Sequence, residues 1–96
     1  MPKAIWNGSI IAEATDDAIE IVENNVYFPM QAVREDLLQA SDKTSVCPWK
    51  GTANYYHVMV DGKLNQDAAW TYRMPSDAAK QIAGRVAFWH GVEVER

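Results

Sequence analysis

Two turn dipeptides constrain the fold of this chain more than any other feature of its sequence. Asn7-Gly8 and Asp61-Gly62 each separate two apolar, β-prone segments. Both dipeptides tolerate positive φ at two successive positions, which the type I′ turn of a two-residue β-hairpin requires. His90-Gly91 is a weaker third example. The chain is therefore predicted to be built largely from antiparallel strands.

The segments between these turns complete a mainly-β prediction that borders on α+β. We expect a further strand over 18–22 and two short helices over 31–40 and 76–83. The first helix is predicted from three apolar residues at helical spacing. The second is predicted from Ser76 as its N-cap and Gly84 at its exit. The expected fold has about six short, mostly antiparallel strands in a curled sheet or small open barrel, with the two helices laid against it.

Length and charge limit the classes of protein that fit the sequence. The 96 residues allow one domain, residues 1–96. The formal net charge is −4 and the 9 basic side chains are scattered, which argues against a nucleic-acid partner. No segment approaches the ~18 apolar residues of a membrane span, and no signal peptide precedes the first turn. Since Cys47 is the only cysteine, no internal disulfide forms, and we expect a cytoplasmic protein.

The hairpin around Asp61-Gly62 predicts which side chains share a face of the sheet. A two-residue turn places Tyr56 opposite Asp67, provided that no bulge interrupts the ladder. One face is then apolar and is expected to belong to the core. The other face is unusually polar, because it carries a cation, an amide, a phenol and a carboxylate: Lys50, Asn54, Tyr56 and Asp67. These four residues are candidates for a binding site, and Asp67 is also a candidate acid or base.

The segment Val46–Gly51 is the least generic part of the chain. Cys47 is a candidate nucleophile, since a thiolate beside a cation is the reactive form of cysteine, although burial as a small apolar residue is more common. Lys50 can bind an anion, and Gly51 lets a ligand approach the backbone closely. Trp49 can stack on a planar ligand. One cysteine and two isolated histidines supply too few ligands for zinc, so we expect no metal and no other cofactor.

Several short motifs together resemble domain-of-unknown-function family 427, which is sometimes catalogued as nucleotidyltransferase-like. They are Cys47-Pro48-Trp49-Lys50-Gly51, Tyr55-Tyr56, Ala69-Trp70-Thr71-Tyr72 and Val86-Ala87-Phe88. The resemblance covers nearly the whole chain and implies a β-rich domain, widespread in bacteria, with no established reaction. The spaced acidic residues of a nucleotidyltransferase are missing, since Asp16-Asp17 is an adjacent pair.

Three classes of function fit these observations. The first is a small-ligand binding module, with a pocket at the Cys47–Gly51 loop for an anionic, planar or nucleotide-like molecule. The second is a small enzyme that uses Cys47 or Asp67 in that pocket. The third is an interaction or assembly domain, and exposed strand edges leave a homodimer open. The binding module is preferred, because several polar groups converge and no complete catalytic set does.

Overall fold

The computed structural model describes residues 1–96 and contains nine strands in three antiparallel sheets. The sheets have the strand orders β2-β1-β9, β3-β4 and β5-β6-β7-β8, and none closes into a barrel. The mainly-β prediction is confirmed. The strands are β1 (Lys3–Trp6), β2 (Ser9–Glu13), β3 (Glu20–Val22), β4 (Asn25–Tyr27), β5 (Leu38–Cys47), β6 (Gly51–Val60), β7 (Lys63–Thr71), β8 (Val86–Phe88) and β9 (Glu93–Glu95).

The turn dipeptides have the backbone conformation that the sequence predicts. Asn7-Gly8 joins β1 to β2 and Asp61-Gly62 joins β6 to β7, with positive φ at all four residues. His90-Gly91 also has positive φ at both positions. It does not close a hairpin, however, because β8 pairs with β7 while β9 pairs with β1. This third turn therefore carries the chain from one sheet to another.

The predicted helix over 31–40 is wrong. The segment forms two 3₁₀ turns, Met30–Ala32 and Glu35–Leu37, and then enters β5 at Leu38. A ten-residue helix is marginal by itself in water. The neighbouring strand β6 offers hydrogen-bonding partners instead, and Leu38 lies opposite Val58 in that ladder. Tertiary pairing thus overrides the apolar spacing.

The predicted helix over 76–83 is a 3₁₀ segment, Asp77–Ile82, with non-helical backbone at Ala79. Ser76 stands at the N-cap position, but its hydroxyl accepts no hydrogen bond from the first turn and instead donates to the Trp49 carbonyl. Gly84 leaves the segment with φ of 71°, as predicted. No helix in the structure is both long enough and apolar enough to span a membrane.

The strand predicted over 18–22 is shorter, because Asp16–Ala18 forms a 3₁₀ turn and β3 begins at Glu20. Strand β3 pairs with β4 through a turn at Glu23-Asn24, where both residues have positive φ. Just beyond β4, the backbone of Phe28 exchanges two hydrogen bonds of 2.8 Å with Val86 in β8. This bridge attaches the β3–β4 hairpin to the edge of the four-stranded sheet.

A bulge in β7 changes the predicted register of the central hairpin. The ladder begins as expected, with Val60 opposite Lys63. It then shifts, so that Tyr56 lies opposite Ala69 rather than Asp67, and Tyr55 lies opposite Trp70 rather than Ala68. Asp67 lies in the bulge with φ of 54°. An acidic residue tolerates this left-handed conformation, which allows the extra residues to leave the ladder.

The four-stranded sheet buries apolar side chains on both of its faces. Alternate residues of a strand point to opposite faces, so Val58 and Tyr55 of β6 contribute to different clusters. The larger cluster lies between this sheet and the β1–β2 hairpin and includes Ile11 and Phe28. The smaller cluster lies on the other face and contains Tyr27, Ala53, Tyr55, Trp70, Tyr72, Ala79, Ile82 and Ala87. The face of β6 that the sequence predicts to be polar, with Asn54 and Tyr56, is therefore the one that packs on the larger apolar cluster.

Candidate functional site

A concave pocket opens beside the smaller apolar cluster and has a volume of about 250 Å³. Three aromatic rings of that cluster form part of its wall, and Trp89 completes the wall at the surface. We call it the aromatic pocket. Its lining residues are Asn25, Lys50, Tyr55, Trp70, Tyr72 and Trp89.

Lys50 places a buried ammonium group in the aromatic pocket. Only 6% of the residue is exposed, which is unusual for a lysine without a charged partner. Gly51 follows with φ of 112°, and this turn of the backbone directs Lys50 to the face opposite Asn54. The loop is held in place by Ser76, whose backbone N–H donates to the Lys50 carbonyl at 2.9 Å.

Glu23 is the charged partner of Lys50. Its carboxylate accepts a hydrogen bond from the Lys50 ammonium through one oxygen, and Trp49 Nε1 lies 3.4 Å from the other oxygen. Glu23 occupies the β3–β4 turn, next to Asn24 and the lining residue Asn25. Arg96 donates to the Asn24 carbonyl at 3.0 Å and also to the Asn24 side chain. The C-terminal residue therefore fixes the turn that carries Glu23.

The ion pair keeps both of its members charged at neutral pH. Burial lowers the pKa of Lys50, but the hydrogen bond to Glu23, the neighbouring Tyr27 and Tyr72 hydroxyl groups and the negative charge of Glu23 together outweigh it, so the net pKa is raised. The hydrogen bond from Lys50 holds the pKa of Glu23 below its ordinary value. A lysine that stays protonated donates hydrogen bonds to anions or carbonyl oxygens and is a poor amine nucleophile.

Two tyrosines add hydroxyl groups near this ammonium. Burial raises the pKa of both Tyr27 and Tyr72, so each remains a neutral phenol at physiological pH. The hydroxyl oxygen of Tyr27, which is fully buried, accepts a hydrogen bond of 3.2 Å from Trp70 Nε1. The Tyr72 hydroxyl has no hydrogen-bond partner within the protein, and its ring centroid lies 5.4 Å from Lys50 Nζ. The Tyr72 ring thus lies against the cation, and its hydroxyl is free to donate to a group outside the protein.

The outer wall of the pocket is formed by Trp89. Its indole N–H donates to the Asp67 carbonyl at 2.5 Å, and its ring stacks on His90 with centroids 4.1 Å apart. Lys43 Nζ lies 4.9 Å from the Tyr55 centroid and 5.8 Å from the Trp89 centroid. The rim therefore carries a second, exposed cation over two of the aromatic rings.

The structure brings some of the predicted site residues together. Lys50 lines the aromatic pocket, and Trp49, which is 40% exposed, contacts Glu23 beside it. Gly51 sets the direction of this loop. Cys47 is half-buried and packs against the smaller apolar cluster beneath the pocket.

The other predicted site residues lie elsewhere. Asn54 and Tyr56 point to the opposite face of the sheet from the pocket, and Tyr56 packs against the larger cluster. Asp67 stabilises the bulge: its side chain accepts a hydrogen bond of 2.5 Å from Ser41, and its backbone N–H donates to His57 Nδ1 at 3.0 Å. Asp67 contributes to the pocket only through its backbone carbonyl, which accepts a hydrogen bond from the Trp89 indole N–H and so positions that ring.

No base is arranged to activate Cys47. His57 accepts from the Asp67 backbone, and His90 is 3.1 Å from the Gln66 carbonyl and stacked on Trp89. No group of three or more His, Cys, Asp or Glu side chains is close enough to hold a metal ion. The pocket therefore combines a buried cation with an aromatic wall.

Sequence reasoning missed Glu23, Asn25 and most of the aromatic wall. Tyr55, Trp70 and Tyr72 are buried, as large aromatics in so small a chain are expected to be, whereas Trp89 is 39% exposed. Glu23 follows Asp16, Asp17 and Glu20 in an acidic stretch that is typical of a solvated surface. One local signal was available: Glu23-Asn24 stands between two short apolar segments, a position where asparagine favours a tight turn.

A wider and shallower groove of about 520 Å³ runs along β2 between Gly8 and Glu13. Its two charged lining residues are already paired, since Glu13 lies 3.7 Å from Lys3 and Arg34 lies 2.6 Å from Asp36. It offers neither a buried charge nor an aromatic wall. The aromatic pocket is therefore the better candidate site.

These features define a small mainly-β domain with open sheets and a pocket built around a buried lysine. A family model described as Domain of unknown function (DUF427) matches residues 2–96. The chain belongs to this family, which confirms the resemblance seen in its motifs. No curated protein is significantly similar to the chain.

Proposed function

We propose that this protein is a binding module for a small ligand that combines a planar apolar ring with an acidic group, held in the aromatic pocket. The observation that carries the proposal is the buried Lys50 ammonium, which uses a single hydrogen bond, to Glu23, within the protein. An ammonium group has three donors, so two remain for a ligand. Burial strengthens hydrogen bonds from such a group, because little water competes for them.

The aromatic wall supports the planar part of this ligand. Trp70 and Trp89 meet edge to face with centroids 5.4 Å apart, and Tyr55 lies 6.2 Å from Trp89 at a tilt of 34°. These rings line the pocket, and a flat ligand would pack its ring against them while its acidic group reaches Lys50 and Tyr72. Pockets for drug-sized ligands usually measure about 300–1,000 Å³. At about 250 Å³, the pocket suits one fused ring system better than a complete nucleotide.

The test is a titration with three anions that share one ring: 2-naphthoate, 2-naphthalenesulfonate and 2-naphthyl phosphate. Binding is followed by calorimetry and by the indole N–H resonances of the tryptophans. We expect at least one of the three to bind and to shift the resonances of Trp70 and Trp89. Lys50→Met is expected to weaken that binding more than about tenfold, because a charge-assisted hydrogen bond is lost. Tyr72→Phe, which removes one hydroxyl, is expected to weaken it about threefold to tenfold.

Lys63→Met is the matched control, because Lys63 is exposed at the β6–β7 turn and does not line the pocket. It is expected to leave the affinity unchanged. Lys50→Met is expected to fold, since Glu23 is half-exposed and methionine suits a buried position. If none of the three anions binds, or if Lys50→Met and Tyr72→Phe bind as tightly as the unmodified protein, the proposed function is wrong.

A further inference from the structure

The Lys50 ammonium already carries one anionic partner within the protein. Glu23 holds it by a hydrogen bond, and Arg96 fixes the β3–β4 turn through Asn24, so the carboxylate is not free to move away with a loose loop. The lining residue Lys50 therefore belongs to a neutral ion pair, whose half-exposed carboxylate lies beside the aromatic pocket, and it keeps unused donors. A bare cation and a neutral pair select different ligands, because only the bare cation favours additional negative charge.

We propose, building on the binding function proposed above, that Glu23 is a specificity-determining residue that restricts the aromatic pocket to planar monoanions such as aromatic carboxylates and excludes aromatic phosphate dianions. Two N–H groups of Lys50 and the hydroxyl of Tyr72 supply three donors, enough for the two oxygens of one carboxylate.

A phosphate dianion would bring a second negative charge next to Glu23. No second buried cation lines the pocket to balance it, since Lys50 is the only charged lining residue. The ammonium of Lys43 is exposed at the rim over Tyr55 and Trp89, where solvent and salt screen it. Like charges placed together at a binding site reduce affinity for the wrong partner more than matched contacts raise it for the right one.

The first test compares the three ring-matched anions on the unmodified protein at pH 8. The carboxylate and the sulfonate each carry one charge, while the phosphate ester carries nearly two, because its second pKa is about 6. We expect 2-naphthyl phosphate to bind about tenfold more weakly than the other two. The sulfonate distinguishes an effect of charge from an effect of shape, because it is tetrahedral like the phosphate ester but carries only one charge. If the phosphate binds as tightly as the carboxylate or more tightly, this inference is overturned while the binding function stands.

The second test removes the charge of Glu23 and keeps its size. Glu23→Gln is expected to tighten the binding of 2-naphthyl phosphate about tenfold and to bring the three affinities within about threefold of one another. Glu93→Gln is the matched control, since Glu93 is exposed in the sheet formed by β2, β1 and β9 and has the same effect on net charge. An unchanged preference in Glu23→Gln, or an equal change in Glu93→Gln, would contradict the role of Glu23.

A third test changes the ligand instead of the protein and applies even if the variant is unstable. Lowering the pH from 8 to 5.5 converts most of the phosphate ester to a monoanion. Its affinity for the unmodified protein is expected to rise toward that of 2-naphthoate, whose charge stays the same. An effect of pH on the fold of the pocket itself appears with both ligands and is subtracted by this comparison. A constant ratio of the two affinities across this range would argue against selection by charge.

Discussion

At the scale of single residues, the ion pair between Lys50 and Glu23 combines a buried cation with a half-exposed anion. A fully buried pair loses more hydration than it regains in attraction, whereas here solvent still reaches the carboxylate. Trp49 and Tyr72 flank the ammonium with ring centroids 5.5 and 5.4 Å from Nζ. The ammonium group is therefore shielded from water, while some of its N–H groups remain available to a ligand in the pocket.

The pair predicts a defined dependence of stability on pH. The pKa of Glu23 is lowered in the folded state, so its contribution is complete above its unfolded value of about 4.3 and is lost as the pH falls through the folded value. The pKa of Lys50 is raised, so its contribution is complete below an unfolded value of about 10.4 and is lost at higher pH. We expect Glu23→Gln to lower the melting temperature at pH 7.

The difference in melting temperature between the unmodified protein and Glu23→Gln should then shrink as the pH falls from 7 to 3, because protonated glutamate and glutamine are both neutral. Thermal unfolding, monitored by circular dichroism, measures this difference in melting temperature. Glu93→Gln serves as the control for general charge effects. A difference that stays constant over this range would show that the ion pair does not stabilise the fold.

At the scale of secondary-structure elements, the bulge in β7 decides which side chains reach the pocket. By shifting the ladder, it places Trp70 opposite Tyr55 and lets the Asp67 carbonyl accept from Trp89. Ser41 and His57 hold the bulge from the neighbouring strands β5 and β6. A regular hairpin would have placed Ala68 opposite Tyr55 and Trp70 opposite Ala53.

The left-handed conformation of Asp67 predicts how this position responds to substitution. Asp67→Asn keeps tolerance of positive φ and an oxygen that accepts from Ser41, and it is expected to cost less than about 1 kcal/mol of folding free energy. Asp67→Val loses the tolerance of positive φ and the oxygen that accepts from Ser41. It is expected to cost about 2–3 kcal/mol of folding free energy, since a β-branched residue is strained at φ of 54°. Urea unfolding measures the two values. Equal stabilities would mean that the bulge does not depend on this residue.

At the scale of the whole molecule, one four-stranded sheet separates two apolar clusters with different roles. The larger cluster joins this sheet to the β1–β2 hairpin, and the smaller one supports the aromatic pocket from below. The outer edge of β5 pairs with no strand of the chain, so the homodimer left open by the sequence stays a prediction. Stability and ligand binding are thus expected to respond separately to changes in the two clusters.

Ile11 and Ile82 test this separation, because both are fully buried and each belongs to one cluster. Ile11→Val and Ile82→Val are each expected to cost about 0.5–1.5 kcal/mol of folding free energy. Only Ile82→Val is expected to shift the Trp70 indole resonance and to weaken binding of the naphthyl anions at temperatures where both variants are folded. If Ile11→Val weakens binding to the same extent, the two clusters act as one unit.

The sequence by itself determined the features that depend on local backbone chemistry. The turns at Asn7-Gly8 and Asp61-Gly62 follow from residues that tolerate positive φ, and the mainly-β class follows from the segments around them. The short motifs that begin at Cys47, Tyr55, Ala69 and Val86 together indicated the family, and the first of them singled out Lys50 and Trp49. Each of these inferences needed only neighbouring residues.

Only the tertiary structure decided the features that depend on distant partners. Leu38 lies in a strand because β6 supplies backbone hydrogen-bonding partners for it. Asn54 and Tyr56 lie on the other face of the sheet from Lys50 because the backbone turns at Gly51. Glu23 lies 27 positions before Lys50 in the chain, and it contacts Lys50 because the β3–β4 hairpin is attached to the edge of the four-stranded sheet. The alternation and spacing of residues along one segment contain no information about such partners, since the free energy of these contacts arises only when separate segments pack together.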